Sequence, residues 1–181
     1  MKRKTLEDFE KKEGGSRIAT LEAALKSQAA ARHPINLELP CEANTIRFGV
    51  CGDTHYGSRY EAKDACEAFY QRCAALGLRH MLHAGDVLDG HRLYKGQEFE
   101  LHRHGWQEQR DWFAKVAPQV KGLTTHFIVG NHDASLKHAA GIDVGGELAD
   151  RRPDWDFLGE DYGLIEFTTP VGRKYRVALI H

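Results

Sequence analysis

Short apolar runs alternate with longer amphipathic stretches along the middle of the chain. Three of these runs predict buried strands, at residues 46–51, 79–84 and 124–129. The stretches between them predict helices, the first over residues 61–76 and the second around Trp112, ending before Pro118. Strands that alternate with helices are typical of βαβ crossovers, and the pattern therefore predicts a mainly parallel sheet.

The first predicted helix carries apolar side chains at helical spacing. These side chains belong to Cys66, Phe69, Cys73 and Leu76. The spacing places them on one face, which we expect to pack in the core. The two cysteines are therefore interpreted as core residues and not as reactive groups.

The last part of the chain has a different pattern. A helix is predicted over residues 139–150, and three strand-like segments follow it, at residues 155–158, 163–167 and 175–180. Segments in such close succession are typical of hairpins. We therefore expect either a mixed sheet or a domain with two layers of sheet.

Residues 1–40 are predicted to form a helical arm and a linker, before a principal domain over residues 45–181. Ser16 suits an N-cap, and Ile18, Leu21 and Leu25 share a helical face. We interpret this face as solvated, or as packed against a partner or a second copy of the chain. A remnant of a DNA-binding module is the alternative.

The composition narrows the class of protein. With 181 residues, of which 41% are hydrophobic, the chain can bury one principal core. Its 25 basic and 26 acidic residues give a net charge of -1, which provides no general attraction to nucleic acid or anionic membranes. The sequence has no membrane span, no secretory signal and no C-x-x-C pair, so we expect a soluble cytoplasmic protein. Eleven histidines make metal chemistry the first to consider.

Each of the three predicted strands is followed by a glycine and then by residues that bind metal ions. These stretches are Gly52-Asp53-Thr54-His55, Gly85-Asp86-Val87-Leu88-Asp89 and Gly130-Asn131-His132-Asp133. Ligands collect at the carboxyl ends of parallel strands, so the three loops should meet in one cleft. Each motif alone is more often a turn or a helix cap, but the three together predict a metal site.

The residue types suit a pair of divalent metal ions. Asp53 and His55 are predicted to hold the first ion, and Asn131 the second. Asp86 is predicted to bridge both ions through its two carboxylate oxygens. Mixed nitrogen and oxygen ligation favours manganese, with iron, zinc or nickel as alternatives, over calcium and magnesium. Two such ions orient a phosphoester and lower the pKa of a bridging water, which is the expected nucleophile.

His132 and Asp133 are interpreted as catalytic residues. His132 follows a predicted ligand but should project towards the substrate, where it can stabilise charge and give a proton to the leaving oxygen. Asp133 is expected to orient the ring of His132 and to favour its charged form.

In this order and at these spacings, GDTH, GDVLD and GNHD resemble the calcineurin-like metallophosphoesterase superfamily. The resemblance covers about residues 46–181. It implies an α/β fold with four layers, α/β/β/α, a dinuclear metal centre, and hydrolysis of phosphomonoesters or phosphodiesters. It gives Asp53, His55, Asp86, Asn131 and His132 the roles described above. It also implies that His181, which ends an apolar strand, binds the second metal.

The superfamily pattern continues with a Gly-His-x-His motif that supplies one ligand to each metal. No such motif follows His181, so we expect the C-terminal part of the fold to be missing and both metals to be under-ligated, which impairs or abolishes the activity of this polypeptide itself. His102-Arg103-His104 has the same histidine spacing, but it precedes Asn131 and is predicted to lie in a solvated or substrate-facing helix.

The motifs also bear on the substrate. Serine/threonine phosphatases of the superfamily have GDxVDRG and GNHE, and this chain departs from both, which argues against a phosphoprotein. The turn after Asp53 is similar to that of the repair-nuclease branch and of phage and prokaryotic phosphodiesterases. Arg92 and Lys95 are expected to hold phosphates, and Tyr94 or Tyr56 to stack a base, with ordinary loop residues as the alternative.

The sequence thus predicts a metal-dependent phosphodiesterase or DNA nuclease. A phosphomonoesterase and a cyclic-nucleotide phosphodiesterase are the alternatives among enzymes. A non-catalytic binding module that keeps the same fold is the alternative from a different class.

Overall fold

The computed structural model describes residues 37–181, and the predicted helix with Ile18, Leu21 and Leu25 lies outside this range. The strands of the described range are β1 (Leu37–Pro40), β2 (Gly49–Cys51), β3 (His80–His83), β4 (Thr124–Val129), β5 (Trp155–Glu160), β6 (Tyr162–Thr168) and β7 (Lys174–Ile180). Its helices are α1 (Lys63–Ala75), α2 (Gly105–Val116), α3 (Asn131–Ala140) and α4 (Val144–Arg151), with a short 3-10 helix at Gln97–Phe99. None of these helices combines the length and the apolar character that a membrane crossing requires.

The strands form two sheets over the described residues. Strands β2, β3, β4 and β5 lie side by side in that order, and every neighbouring pair is parallel. The second sheet has the order β1-β6-β7, with β1 parallel and β7 antiparallel to β6. Both alternatives drawn from the last part of the chain are therefore correct, because the second sheet is mixed and also forms a second layer.

The two central strands of the parallel sheet are buried on both faces. Along β3 and β4, Met81 and Phe127 belong to the cluster that packs against the helices, while Leu82 and Ile128 belong to the cluster shared with the second sheet. Successive side chains of a strand point to opposite faces, which explains this alternation. The described residues thus form three of the four predicted layers, with helices over one face of the parallel sheet and the mixed sheet over the other.

The core face of α1 differs from the prediction. Cys73 is buried and Cys66 packs against the core, but Phe69 and Leu76 are 38% and 46% exposed. Tyr70 is buried instead. Residues 66, 70 and 73 follow the i, i+4, i+7 spacing, which defines a stripe rotated slightly from the predicted one.

The structure also differs from the prediction at two element boundaries. The single helix predicted over residues 139–150 is wrong, because α3 ends at Ala140 and Gly141 follows with a φ of 68°. This left-handed conformation terminates the helix, and Asp143 then caps α4 through the backbone N–H of Gly146. Strand β1 lies in the segment that was assigned to the arm and linker, and its pairing with β6 makes it part of the second sheet.

Candidate metal and catalytic site

The three glycine-containing loops meet at the carboxyl ends of β2, β3 and β4. The backbone N–H of Asp53 donates to the carbonyl of Gly85 at 3.0 Å, and that of His55 donates to the carbonyl of Asp86 at 3.1 Å. The loop after β4 joins them through the backbone N–H of His132, which donates to Asp86 Oδ1 at 2.8 Å. The predicted convergence in one cleft follows from this parallel arrangement.

The predicted ligands sit in a strained backbone. Asp53, His55 and Asp86 have φ values of 53°, 45° and 50°, in the left-handed region that residues with side chains seldom occupy. Each such residue costs on the order of 1–3 kcal/mol, and the surrounding structure must hold it in place. Strain of this kind concentrates at functional sites.

One group of ligand atoms forms around His55. Its Nε2 lies 3.8 Å from Asp53 Oδ1 and 3.8 Å from Asp86 Oδ2. Its Nδ1 lies 3.2 Å from Oδ1 of Asp89, an ion-pair distance without the angle of a good hydrogen bond. A carboxylate beside Nδ1 favours a proton there, which leaves the lone pair of Nε2 facing Asp53 and Asp86.

A second group forms around His181. Its Nδ1–H donates to the carbonyl of Ala84 at 2.9 Å, so in the neutral ring Nε2 carries a lone pair. That nitrogen lies 2.8 Å from Asn131 Oδ1 and 3.3 Å from Asp86 Oδ1. Three acceptor atoms therefore converge on one point, which a second ring proton or a bound cation would stabilise.

Two glycines make room for this arrangement. A side chain at Gly130 would collide with the carboxylate of Asp86 and the ring of His181. Gly85 has a φ of 101°, and a Cβ in its place would lie 2.7 Å from Nδ1 of His181. The glycines of two motifs are thus needed for close approach as well as for the turns.

The donor set fits divalent cations. His55 and His181 each turn Nε2 towards side-chain oxygens of the predicted ligands, while Nδ1 faces an oxygen that can accept its proton. This is the usual setting of metal-binding histidines. Burial opposes protonation of His55, but Asp89, Asp86 and Asp53 together raise the pKa of its imidazole. A cation would therefore compete with a proton for this group of atoms.

His132 lines the same cleft as His55, but Asp133 does not orient it. The Nδ1–H of His132 donates to the backbone carbonyl of Asp89 at 2.6 Å, and its ring meets that of His55 edge to face at 4.4 Å between centroids. The carboxylate of Asp133 is fully buried and accepts the backbone N–H groups of Val87, Leu88 and Gly130 at 2.8–3.0 Å. The predicted catalytic role of Asp133 is wrong in this respect, because both of its oxygens are occupied in joining two loops.

Asp89 is the site residue that sequence reasoning missed. Its carboxylate faces His55, its carbonyl positions His132, and its carboxyl oxygens lie with both histidine rings in one group of potential ligand atoms. The second aspartate of Gly-Asp-Val-Leu-Asp was the available signal.

An open cleft of about 390 Å³ adjoins these residues. Its lining includes Asp53, His55 and His132, and also Tyr60 and Tyr94. The hydroxyl of Tyr94 donates to Glu100 at 2.7 Å, and this hydrogen bond raises the pKa of Tyr94 to about 12. Tyr94 is therefore a neutral, half-exposed ring at the mouth of the cleft.

The other predicted substrate residues lie elsewhere. Tyr56 is 1% exposed and packs edge to face on Phe113, so its predicted stacking on a base is wrong. Arg92 and Lys95 are exposed, but neither belongs to the described lining of the cleft. Tyr56 is buried because the loop after β2 turns its ring under α2.

His102-Arg103-His104 lies just before α2 and not in a helix. Nε2 of His102 is 3.4 Å from a carboxylate oxygen of Glu61, and the guanidinium of Arg103 lies 4.4 Å above the ring of Trp112. The partners of these two contacts are Glu61 and Trp112, and neither is a predicted metal ligand. It does not replace the Gly-His-x-His ligands.

His83 is a buried histidine that supports the loops of the site through hydrogen bonds. Its Nε2–H donates to the hydroxyl of Thr54 at 3.0 Å, and that hydroxyl donates to the carbonyl of Val87 at 3.2 Å. The chain of hydrogen bonds ties the residue between Asp53 and His55 to the loop after β3. Burial lowers the pKa of His83 to about 3, and the charges of His55 and His181 act in the same direction.

The pKa of His83 predicts a loss of stability in acid. The ordinary pKa of histidine is 6.5, and that of His83 in the folded chain is about 3. Between these two pH values His83 is protonated in the unfolded chain and neutral in the folded chain, so the free energy of unfolding falls as the pH falls. The contribution is about 1.4 kcal/mol per pH unit over that window. We expect His83→Gln to flatten this part of the profile in urea denaturation at a series of pH values. The exposed His138→Gln is the matched control, and equal slopes for both variants would contradict the prediction.

Comparison with known proteins supports the family that the sequence motifs indicate. Residues 46–181 match the family described as calcineurin-like phosphoesterase. The DNA polymerase II small subunit of Halobacterium salinarum is 33% identical over 94 residues, which cover 50% of this chain and 18% of that protein. The protein of the same name from Methanothermobacter thermautotrophicus is 32% identical over 95 residues, covering 46% of this chain and 20% of that one. The chain thus spans at most a fifth of the length of these curated relatives.

Among solved structures, the nuclease MPE of Pseudomonas putida is similar over 62% of this chain and 47% of that chain. The sequence identity is 21% and the TM-score is 0.33.

Proposed function

Because the chain belongs to the calcineurin-like phosphoesterase family, we propose that it hydrolyses phosphodiesters, with DNA as the substrate class, at a centre of two divalent metal ions. Manganese is the proposed metal, since the donors are mixed nitrogen and oxygen. A cytoplasmic location belongs to the same proposal and is supported by four unpaired cysteines.

One observation carries this proposal. The two carboxylate oxygens of Asp86 face different groups of ligand atoms, with Oδ2 towards His55 and Oδ1 towards His181. Asp86 is almost completely buried, so neither oxygen is free to turn towards bulk water. A buried carboxylate shared between two sets of acceptors suits a bridge between two cations.

Metal binding and proton donation are assigned to different residues. Asp53, His55 and Asp86 would hold one ion, and Asp86, Asn131 and His181 the other. When bound, the ions supply Lewis acidity and a water of lowered pKa. His132 donates its Nδ1–H to the carbonyl of Asp89, so in the protonated ring Nε2 carries the second proton, and this proton would pass to the leaving oxygen.

DNA as the substrate class is supported by the curated relatives, which are DNA polymerase II small subunits. Those matches cover a short part of the relatives, so the substrate and any polymerase partner are proposed for this chain. The rival of a different class is a binding module that keeps the fold and assembles with a polymerase without turnover.

Hydrolysis of bis(p-nitrophenyl) phosphate with manganese, compared with the monoester p-nitrophenyl phosphate, tests the proposal. Because the Gly-His-x-His ligands are absent from this sequence, we expect slow turnover. The diester should still be hydrolysed faster than the monoester, and a chelator should abolish the hydrolysis. Preference for the monoester would favour the phosphomonoesterase. Absence of both turnover and manganese uptake would favour the binding module.

The role of His132 gives a separate prediction. His132→Ala should slow the hydrolysis of diesters with alkyl leaving groups by about 100-fold or more, because these leaving oxygens need a proton. Activated p-nitrophenyl esters should lose much less, since p-nitrophenolate leaves without protonation. Rates measured on both esters check the prediction, and His138→Ala on the exposed part of α3 is the control. Equal losses on the two esters would remove the role of proton donor.

A further inference from the structure

Exposed aromatic rings stand at the mouth of the candidate active-site cleft. Tyr60 is 78% exposed and Tyr94 is 46% exposed, and both line the cleft with His55 and His132. Single exposed apolar residues are ordinary on protein surfaces. Two tyrosines at the edge of a catalytic cleft are instead positioned to contact what the cleft binds.

The segments that carry these rings are held together. Ser58 and Leu101 form an antiparallel bridge, and the backbone N–H of Arg59 donates to the carbonyl of Glu100 at 2.8 Å. The carboxylate of the same Glu100 accepts the hydroxyl of Tyr94. A ring fixed before binding loses less conformational freedom when a ligand stacks on it.

The charges of the cleft indicate which part of a ligand lies there. Its described lining contains the carboxylates of Asp53, Glu61, Asp89 and Glu100, and no lysine or arginine. A row of phosphates would therefore find no basic side chain within the described lining of this cleft. The ligand group that contacts them should be flat, apolar and uncharged, while one phosphate lies at the metal ligands.

We infer that Tyr60 and Tyr94 form a stacking subsite for an unpaired nucleobase beside the phosphate that is cleaved. Bases of a duplex are stacked on each other and cannot reach a side-chain platform, whereas bases of a single strand can. The substrate class is therefore single-stranded nucleic acid or the single-stranded end of a duplex. This inference rests on the proposed phosphodiesterase function and assigns Tyr60 in place of the buried Tyr56.

Two oligonucleotides of equal length and charge test the inference. One is oligo(dT), and the other has the same backbone with abasic sites throughout. Binding is measured by fluorescence anisotropy with calcium in place of manganese, and a gel confirms that the strands stay intact. We expect oligo(dT) to bind about 5- to 20-fold more tightly than the abasic strand, the lower part of the range for stacking on an aromatic ring.

Variants separate stacking from a general surface effect. Tyr60→Ala should remove the preference for oligo(dT) and leave binding of the abasic strand unchanged, while Tyr60→Phe should keep it. Tyr175→Ala is the matched control, because Tyr175 is 43% exposed on strand β7 of the second sheet. Equal binding of both strands by the unmodified chain, or equal losses of both in Tyr60→Ala, would overturn the inference.

The outcome is separable from that of the proposed function. Manganese-dependent hydrolysis without a preference for bases would remove the subsite and leave the phosphodiesterase. A preference for bases without hydrolysis would remove the enzyme and leave a nucleic-acid-binding site. Binding of neither strand would overturn the inference.

Discussion

Asp86→Asn is expected to reduce manganese-dependent hydrolysis of a phosphodiester on the order of 1,000-fold or more. The substitution keeps the shape of the side chain, and its amide oxygen can still accept the backbone N–H of His132. It removes the negative charge that both groups of ligand atoms share, through Oδ2 near His55 and Oδ1 near His181. The fold should survive, while affinity for both ions should fall.

Two readouts check this result. Initial rates with bis(p-nitrophenyl) phosphate report hydrolysis, and calorimetric titration with manganese reports metal uptake without requiring turnover. Asp111→Asn is the matched control, because the side chain of Asp111 is 59% exposed on α2. Rates and metal uptake of Asp86→Asn equal to those of this control would refute the bridging role.

Asp133→Ala is expected to lower the free energy of unfolding by about 3–5 kcal/mol, because it leaves buried donors without an acceptor. The carboxylate accepts three backbone N–H groups, from Val87 and Leu88 after β3 and from Gly130 after β4. Water cannot replace it at this completely buried position. The two loops that carry Asp86 and Asn131 should therefore separate more easily.

Urea denaturation gives the measurement for Asp133→Ala. Burial raises the pKa of the Asp133 carboxyl to about 6, so the comparison is made well above that pH, where the carboxylate is ionised. Asp150→Ala on the exposed side of α4 is the control. If both variants unfold at the same urea concentration, Asp133 does not join the loops as the structure indicates.

Much of the fold follows from local pattern. Strand β4 has the predicted bounds, and α2 ends before Pro118 as expected. Both depend on interactions within the segment, namely an apolar run and a residue that cannot continue a helix. The helix predicted over residues 139–150 failed because Gly141 interrupts a continuous helical pattern, and the sequence does not show which glycines adopt a positive φ.

The candidate site also contains residues that the sequence could identify and residues that it could not. Asp53, His55, Asp86 and Asn131 could be proposed because each follows a strand in sequence, and parallel strands bring their carboxyl ends to one edge. Asp89 stands in one of the same motifs, but its role becomes apparent only from the neighbours of its carboxylate and carbonyl. Tyr56 and Tyr60 are four residues apart on one loop, yet one ring is buried and the other is 78% exposed.

The sequence by itself determined the family and the α/β class, and it predicted which residues bind the metals. These depend on residue type and spacing along the chain. Only the tertiary structure decided that Asp133 joins two loops, that His181 faces Asp86, and that Tyr60 instead of Tyr56 lines the cleft. Each of these depends on which side of a turn a side chain leaves, and that direction is fixed by packing and hydrogen bonds between segments distant in sequence.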